Sequence, residues 1–296
     1  MNWIDGLMQI KYPNSKPNKK IGKNSMPSSG SIELNPNNPL IQQFATANKS
    51  IRPSPPAITY SLIVPAYNEE KYISHTIDSL LAVKENLSGR FSGEIIVVDN
   101  NSDDGTANLA KNKGARVVFE NVNCIARARN SGAKAASGKY LFFVDADTTV
   151  TTELIEDALI CLEEKHICGG GTRISFDRPI PLSGKILLWT WNTIVKFYPM
   201  AAGSFLFCSK NAWQETGGFD EELYASEEIS FSRKLRKWGK KNGKKFIVLN
   251  IPAVTSGRKF EWHSMTWIIL NFAFFAIFPS GVRSKRLCHL WYKRKG

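Results

Sequence analysis

The sequence predicts an α/β fold in which helices flank a mixed, mostly parallel, Rossmann-like sheet. Two observations predict it. From residue 59 onward, short apolar runs rich in β-branched and aromatic residues alternate with segments of helical periodicity. Several of these runs stop abruptly at acidic or amide residues, as strands do when they deliver side chains to the edge of an open sheet. The 296 residues are 43% hydrophobic, which is enough to build a substantial core.

Residues 1–56 differ in composition from the rest of the chain. They hold eight of the fourteen prolines, at positions 13, 17, 27, 36, 39, 53, 55 and 56, and they contain few apolar residues. Such a segment buries too little apolar surface to offset the entropy of ordering it, so we predict a disordered basic leader. The first ten residues contain Asp5 and Gly6 and no long apolar core, and we therefore expect no secretory signal there.

Strands and helices alternate regularly in the first half of the domain that follows. A strand, a helix and a second strand form a right-handed parallel unit, so this order predicts a largely parallel sheet. The predicted strands are residues 60–64, 94–98, 116–119 and 140–144. One predicted helix starts at Tyr72, a second and shorter helix ends at Lys113, and two more span 125–136 and 151–165.

The second half of the domain is less regular. A Gly-Gly-Gly run near the start of the apolar segment 167–176 suggests a strand that other backbone approaches closely. Further along we predict helices at 187–197 and 227–238, strands at 204–208 and 245–249, and a turn at 217–222.

Two carboxylates, Asp145 and Asp147, directly follow the apolar strand 140–144. Alternation along an extended chain would turn both side chains to one side, with their oxygens free in the crevice beyond the strand. Two hard oxygen ligands of this kind suit Mg²⁺ or Mn²⁺ shared with a diphosphate. The alternative is a polar turn, because Asp and Thr are also common turn and capping residues.

Charge and cysteine content restrict the partners and the compartment. A net charge of +13 indicates an anionic partner, whether nucleic acid, phosphorylated substrate or anionic lipid. The basic residues show no signature of a nucleic-acid-binding fold, so we expect no nucleic-acid partner. The five scattered cysteines include no CxxC pair, which favours reduced thiols in the cytoplasm.

Five motifs in this order resemble those of glycosyltransferase family 2 between about residues 60 and 245. They are Val64-Pro65-Ala66-Tyr67-Asn68-Glu69-Glu70, Val97-Val98-Asp99 with the polar run to Thr106, Ala128-Arg129-Asn130, Asp145-Ala146-Asp147 and Gly217-Gly218-Phe219-Asp220. The resemblance implies a GT-A fold over residues 57–263, a nucleotide-sugar donor linked to UDP or GDP, a divalent cation, and inversion at the anomeric carbon.

The resemblance also implies roles for individual residues. Asp99 would accept hydrogen bonds from the base or ribose, as an acid at a strand end does in dinucleotide-binding folds. Asp147 would bind the metal, and Asp145 would contact the ribose or the metal. The other residues assigned to the nucleotide sugar are Pro65, Tyr67, Glu69, Arg129 and Arg258.

Inverting transfer requires a base that takes a proton from the acceptor hydroxyl. By family position this base is Glu228, although the family more commonly has Asp there. The structural alternative is that Glu227 and Glu228 are two glutamates opening a helix at the positive end of its dipole.

The segment 255–260 contains Arg258 between a glycine and Lys259. It is either a loop that closes on the diphosphate or an exposed basic loop. His263 is either a third metal ligand or, beside Trp262, a packed side chain.

Residues 264–296 combine an apolar stretch with a basic tail. The stretch 265–278 has fourteen residues, too few to span a bilayer, and it suits a core helix, a dimer contact or an in-plane membrane helix. Arg283, Lys285, Arg286 and the three cations at 293–295 suit anionic headgroups. We predict peripheral docking on the cytoplasmic face of a membrane.

Other functions fit less well. A dehydrogenase or methyltransferase would carry G-x-G-x-x-G after the first strand, and this chain does not. The predicted function is inverting sugar transfer to a hydroxyl acceptor, for instance a lipid-linked or cell-envelope glycan. The alternative is a non-catalytic nucleotide-sugar-binding protein of the same fold. Sugar, acceptor identity and oligomeric state stay open.

Overall fold

One mixed sheet of eight strands runs through the part of the chain that the structure describes. The computed structural model describes residues 57–164, 166–201, 203–258, 260, 267, 270, 274 and 278–288. The strands are β1 Tyr60–Ala66, β2 Gly93–Asp99, β3 Arg116–Phe119, β4 Tyr140–Val144, β5 Thr148–Thr149, β6 Ile167–Phe176, β7 Phe205–Ser209 and β8 Lys245–Thr255.

The described helices connect these strands on both faces of the sheet. They are α1 Ile73–Leu87, α2 Thr106–Asn112, α3 Ile125–Ala135, α4 Thr152–Glu163, α5 Leu182–Phe197, α6 Lys210–Thr216 and α7 Glu227–Lys241, followed by the 3-10 helix Pro279–Arg283.

The strand order is β3-β2-β1-β4-β7-β6-β8-β5. Strands β3, β2, β1 and β4 are parallel, and β6 is parallel to β8. Strand β7 runs antiparallel to both of its neighbours, and β5 runs antiparallel to β8. The predicted mixed, mostly parallel sheet is confirmed. Its antiparallel strands were not predicted individually, because an apolar run does not reveal its direction.

Alternate side chains of the central strands fill two cores, one on each face of the sheet. Leu62 and Phe142 pack with α1 and α4 on one face, whereas Ile63 and Phe143 pack with α3 and α7 on the other. Gly132 of α3 lies against β1, since a Cβ atom there would be 2.3 Å from Ile63 Cγ2. Helix α3 is therefore seated closely on the sheet, and it carries Arg129 with it.

The largest departures from the prediction in the second half concern α5, β8 and α6. Helix α5 begins at Leu182, five residues before the predicted start at 187, and β8 continues to Thr255 rather than ending at 249. Helix α6 was not predicted. It has only seven residues, and its clearest sequence signal is the N-cap Ser209, whose hydroxyl accepts a hydrogen bond from Ala212 N.

Several predictions concern residues outside the described part of the chain. These are the leader 1–56, His263, most of the apolar stretch 265–278 and the cations at 293–295. The described residues 278–288 lie against the domain: Tyr224 N donates to Val282 O at 2.8 Å, and Arg283 pairs with Asp220 and Glu222. Among the described residues, no helix has both the length and the apolar character needed to cross a membrane.

Candidate active site

Acidic side chains gather where β2, β1 and β4 end side by side. Because these strands are parallel and adjacent, their carboxyl ends meet at one edge, and Ala66 of β1 is in register with Asp99 of β2. Asp99 is buried, and its Oδ1 accepts a hydrogen bond from Ser102 N at 3.0 Å. Glu69 follows β1, where Thr106 Oγ1 accepts a hydrogen bond from its backbone N–H at 2.7 Å.

The acid pair after β4 lies in a turn rather than in extended chain. Strand β4 ends at Val144, and Thr148 N donates to Asp145 O at 3.0 Å, which closes the turn before β5. The expectation that the carboxylate oxygens are free is wrong, because each carboxylate pairs with an arginine. Asp145 pairs with Arg129 and Asp147 with Arg258, both at 2.9 Å.

Arg129 is buried at the centre of the first cluster. Its Nη2 donates to Asp145 Oδ1 and, at 3.0 Å, to the carbonyl oxygen of Gly203, while its Nη1 pairs with Glu227. Burial lowers the pKa of Arg129, but the nearby carboxylates, Glu227 foremost, together raise it above its ordinary value. The guanidinium thus stays charged and holds two acids from distant parts of the chain in fixed positions.

Glu228 lies beside this cluster, at the start of α7. A Cβ atom built on Gly203 would be 3.5 Å from Glu228 Oε1, 3.6 Å from Arg129 Nη2 and 3.6 Å from Asp145 Oδ2, so these three groups surround one point. Burial, with help from the charge of Glu227, raises the pKa of Glu228 to about 8. A carboxyl group with this pKa can accept a proton effectively near neutral pH.

Arg258 forms the second cluster, across the acid pair from the first. It is buried and donates to both oxygens of Glu69, at 2.7 and 2.6 Å, while pairing with Asp147. Its guanidinium also lies 4.5 Å from the centroid of the Tyr72 ring. The interpretation of this segment as an exposed basic loop is therefore wrong at Arg258, which points into the acidic edge of the sheet.

The donor set suits a hard divalent cation only in part. Asp145 and Asp147 keep side-chain exposures of 28% and 12%, and Mg²⁺ or Mn²⁺ commonly uses one or two carboxylates together with substrate phosphates. No group of three or more His, Cys, Asp or Glu side chains that suits a metal occurs among the described residues. Asp147 and Asp145 can hold a cation, provided that a phosphate completes the shell and the contact between Arg258 and Asp147 loosens.

The remaining predicted residues lie around these clusters. Pro65 is buried within β1, and Tyr67 is half-buried just beyond the strand. Arg127, two residues before Arg129, points elsewhere and pairs with Glu120 and Glu221 at 3.4 and 3.2 Å. The structure therefore separates the two arginines of α3, as their spacing on a helix requires.

Three residues have roles at the site that were not predicted from the sequence. Glu227 is the buried partner of Arg129, Gly203 supplies a carbonyl oxygen and open space, and Tyr72 covers Arg258. For Glu227, the only signal in the sequence was the pair of adjacent acids at 227 and 228. Gly203 carries no local signal, because its role comes from packing between distant segments.

The chain is similar in sequence and fold to known sugar transferases. Residues 61–202 match the model of the family described as Glycosyl transferase family 2. Over 113 residues the chain is 32% identical to the poly(ribitol-phosphate) β-N-acetylglucosaminyltransferase TarS of Staphylococcus aureus. That match covers 36% of this chain and only 19% of TarS, so the chain spans about a fifth of that relative's length.

Two solved structures have similar folds. A mannosyltransferase from Pyrobaculum calidifontis, in complex with GDP-Man and Mn²⁺, has a TM-score of 0.58 at 17% identity and covers 85% of this chain and 76% of its own. S. aureus TarS in complex with UDP-GlcNAc has a TM-score of 0.52 at 24% identity, covering 68% of this chain and 59% of its own. At these identities the likeness establishes the fold, and it confirms the predicted GT-A architecture.

Proposed function

Since the chain belongs to glycosyltransferase family 2, we propose that it transfers a sugar from a nucleoside-diphosphate sugar to a hydroxyl acceptor with inversion at the anomeric carbon. The observation that carries this proposal is the meeting of Asp145, Arg129 and Glu228 around Gly203, beside the acids Asp99 and Asp147. A candidate nucleotide-binding acid, two carboxylates that we propose as metal ligands and a candidate base are thus brought together.

The donor would bind across the ends of β1, β2 and β4. Asp99 is suited to accept hydrogen bonds from the base or ribose, and Pro65 and Tyr67 lie at the neighbouring strand end, where the base can pack. Asp145 and Asp147 would hold Mg²⁺ or Mn²⁺. When bound, such a cation supplies Lewis-acid neutralisation of the charge on the leaving diphosphate.

Glu228 is the group we propose as the base. The acceptor oxygen forms its bond to the anomeric carbon as the bond from that carbon to the diphosphate oxygen breaks, and the acceptor proton passes to Glu228. The electron pair of the broken bond leaves with the nucleoside diphosphate. Arg129 acts as a positioning residue, because it fixes Asp145 and Glu227 on either side of the reacting groups.

Arg258 has a different proposed role, that of exchanging partners. Its guanidinium neutralises Asp147 and Glu69. An incoming diphosphate offers the same bidentate geometry as a carboxylate. We propose that Arg258 would turn toward the diphosphate where Asp147 holds a cation, so that the buried acids would stay compensated.

A panel of UDP- and GDP-sugars tests the proposal, with Mn²⁺ and with release of nucleoside diphosphate as the readout. Wild-type protein should hydrolyse or transfer at least one donor, and Glu228→Gln should lose turnover while retaining donor binding. Glu164→Gln, on the exposed end of α4, is the matched control that removes one carboxylate elsewhere. Binding without turnover of any donor would instead favour a non-catalytic binding protein.

The metal assignment has its own measurement. Nucleoside diphosphate with Mn²⁺ should stabilise the wild type by about 2.7 kcal/mol at a hundred times the dissociation constant, and Asp147→Asn should abolish this stabilisation. Asp157→Asn, on the exposed face of α4, should retain it. An unchanged thermal shift in Asp147→Asn would mean that Asp147 does not bind the metal.

We propose that residues 57–263 form the transferase domain and that residues 264–296 contribute to docking on a membrane that carries the acceptor. Of the six basic tail residues, Arg283 is engaged by Asp220 and Glu222 on the domain itself. The tail therefore offers fewer cations to a membrane than its sequence suggests.

A further inference from the structure

Helix α5 presents an apolar stripe to solvent along its whole length. Leu182, Ile186, Trp189 and Phe197 are 73%, 56%, 69% and 80% exposed, at spacings of four, three and eight residues that align them on one side of a helix. The opposite side packs on the domain through Gly184 and Val195, which are buried. The helix is thus apolar on two sides, and within the described part of the chain only one of them is buried.

Positive charge accompanies this stripe. Lys185 and Lys196 are exposed on α5 beside it, and the sequence contains no Asp or Glu from residue 178 to residue 214. A small surface cavity between α5, β6 and β8 is lined by Arg173 and Lys196 together with the amides of Asn192 and Asn250. At the end of the helix, Arg236 stacks on the half-exposed ring of Tyr198 at 3.8 Å.

These observations favour one kind of occupant. In a symmetric dimer the same patch meets itself, so Lys185 and Lys196 would face their own copies, and residues 178–214 supply no acid to neutralise them. Aromatic and aliphatic side chains flanked by lysines are instead what an interfacial helix presents to lipid. Going beyond the proposed function, we infer that α5 docks in the plane of an anionic phospholipid bilayer. Its apolar stripe inserts between acyl chains, and Lys185, Lys196 and Arg173 contact phosphates.

This docking orients the candidate active site. The chain leaves α5 at Phe197 and reaches Gly203 within six residues, where the Gly203 carbonyl accepts from Arg129. Between them, Ala201 N donates to Ser232 Oγ of α7, the helix that carries Glu228. A bilayer bound to α5 therefore lies next to the segment that contains Gly203, and it would present a membrane-borne hydroxyl there.

Flotation of the full-length protein with phosphatidylcholine vesicles, with and without phosphatidylglycerol, tests the inference. The double variant Trp189→Glu/Phe197→Glu should lower partitioning roughly a hundredfold, because each of the two rings buried in lipid is worth a factor of about ten. Phe119→Glu is the matched control, since Phe119 is 63% exposed on the edge strand β3, and it should float like the wild type. Lys185→Gln/Lys196→Gln should weaken binding to phosphatidylglycerol vesicles mainly at low salt.

Several outcomes would overturn the inference. They are failure of the wild type to float, flotation of Trp189→Glu/Phe197→Glu equal to the wild type, and an equal loss in Phe119→Glu. A wild-type dimer in solution that the double variant dissociates would assign the stripe to a second copy of the chain. Hydrolysis of a soluble donor is measured on the same samples, so a failure of docking is distinguishable from a failure of the transferase proposal.

Discussion

Two buried arginines, Arg129 and Arg258, organise opposite sides of the acid pair, and they differ in how the chain holds them. Arg129 is on α3, which Gly132 seats tightly against β1, whereas Arg258 follows the end of β8 in an irregular segment. Both join carboxylates from distant segments. One pairing chemistry can therefore serve two purposes: Arg129, on a packed helix, holds its acids in place, whereas Arg258, on a loop, is the arginine that we propose to exchange partners.

The largest effect is expected at Arg129. Replacement by Met leaves Glu227, with 5% side-chain exposure, and Asp145 without their cation, and breaking a buried pair in this way typically costs about 3–5 kcal/mol. Chemical denaturation of Arg129→Met should show a loss of this order in the free energy of unfolding. The double variant Arg129→Met/Glu227→Leu should recover part of it, because the uncompensated charge is gone. No loss in the single variant would mean that Arg129 does not hold the site together.

The next effect concerns the base beside Arg129. Glu228→Gln preserves size and hydrogen bonding but cannot accept a proton, so turnover should fall roughly 10²–10⁴-fold with little change in donor affinity. In the wild type the rate should rise with pH up to about 8, where Glu228 becomes a carboxylate. A flat pH profile, or near-normal turnover of the variant with the true acceptor, would move the role to another group.

The same raised pKa has a consequence for stability. Glu228 binds its proton more tightly in the folded than in the unfolded protein, so its favourable contribution is complete below pH 4.5 and is lost as pH rises to about 8. Thermal unfolding across this window should therefore show Glu228→Gln becoming progressively more stable relative to the wild type. A difference that is independent of pH would indicate an ordinary pKa for Glu228.

The two arginine clusters also differ in what the sequence could reveal. Strands β1 to β4 were predicted within two residues at each end, because each is an apolar run bounded by polar residues. The acids at their ends followed from strand topology alone. The ion-pair partners of the site acids could not be predicted from the sequence, since Arg129 and Glu227 are 98 positions apart and Arg258 and Glu69 are 189 positions apart. Such pairings arise only when the second half of the sheet closes onto the first.

Helix α5 illustrates a different limit. Its apolar residues recur on both sides, so periodicity predicts a helix without indicating which side is buried. The glycine at position 184 turned out to mark the packed side, where a Cβ atom would contact Ile180 and Phe260 at 3.4 Å. The exposed stripe became visible only once the packed side was known.

A smaller effect is expected at Arg258. It tests whether this arginine exchanges its carboxylate partners or holds them in place. Without the guanidinium, Asp147 and Glu69 attract a cation more strongly, so Arg258→Met should bind Mn²⁺ in the absence of nucleotide roughly tenfold more tightly than the wild type. Stabilisation by nucleoside diphosphate should weaken in the same variant. Calorimetric titration measures both, with Arg178→Met as the control, since Arg178 pairs with the neighbouring Asp177. Unchanged Mn²⁺ affinity would mean that Arg258 and the cation do not compete.

The smallest effect is expected at Arg127, which lies two residues from Arg129 on the same helix. Its side chain is 38% exposed, and of its two partners Glu221 is 36% exposed, whereas Glu120 is buried but also accepts hydrogen bonds from Val122 N and Ser131 Oγ. Solvent screens such pairs, so Arg127→Gln should change the free energy of unfolding by less than about 1 kcal/mol and leave turnover unchanged. Chemical denaturation and donor turnover should be measured in parallel with Arg129→Met. If the two variants lose similar stability, position on the helix rather than burial with Glu227 and Asp145 would explain the importance of Arg129.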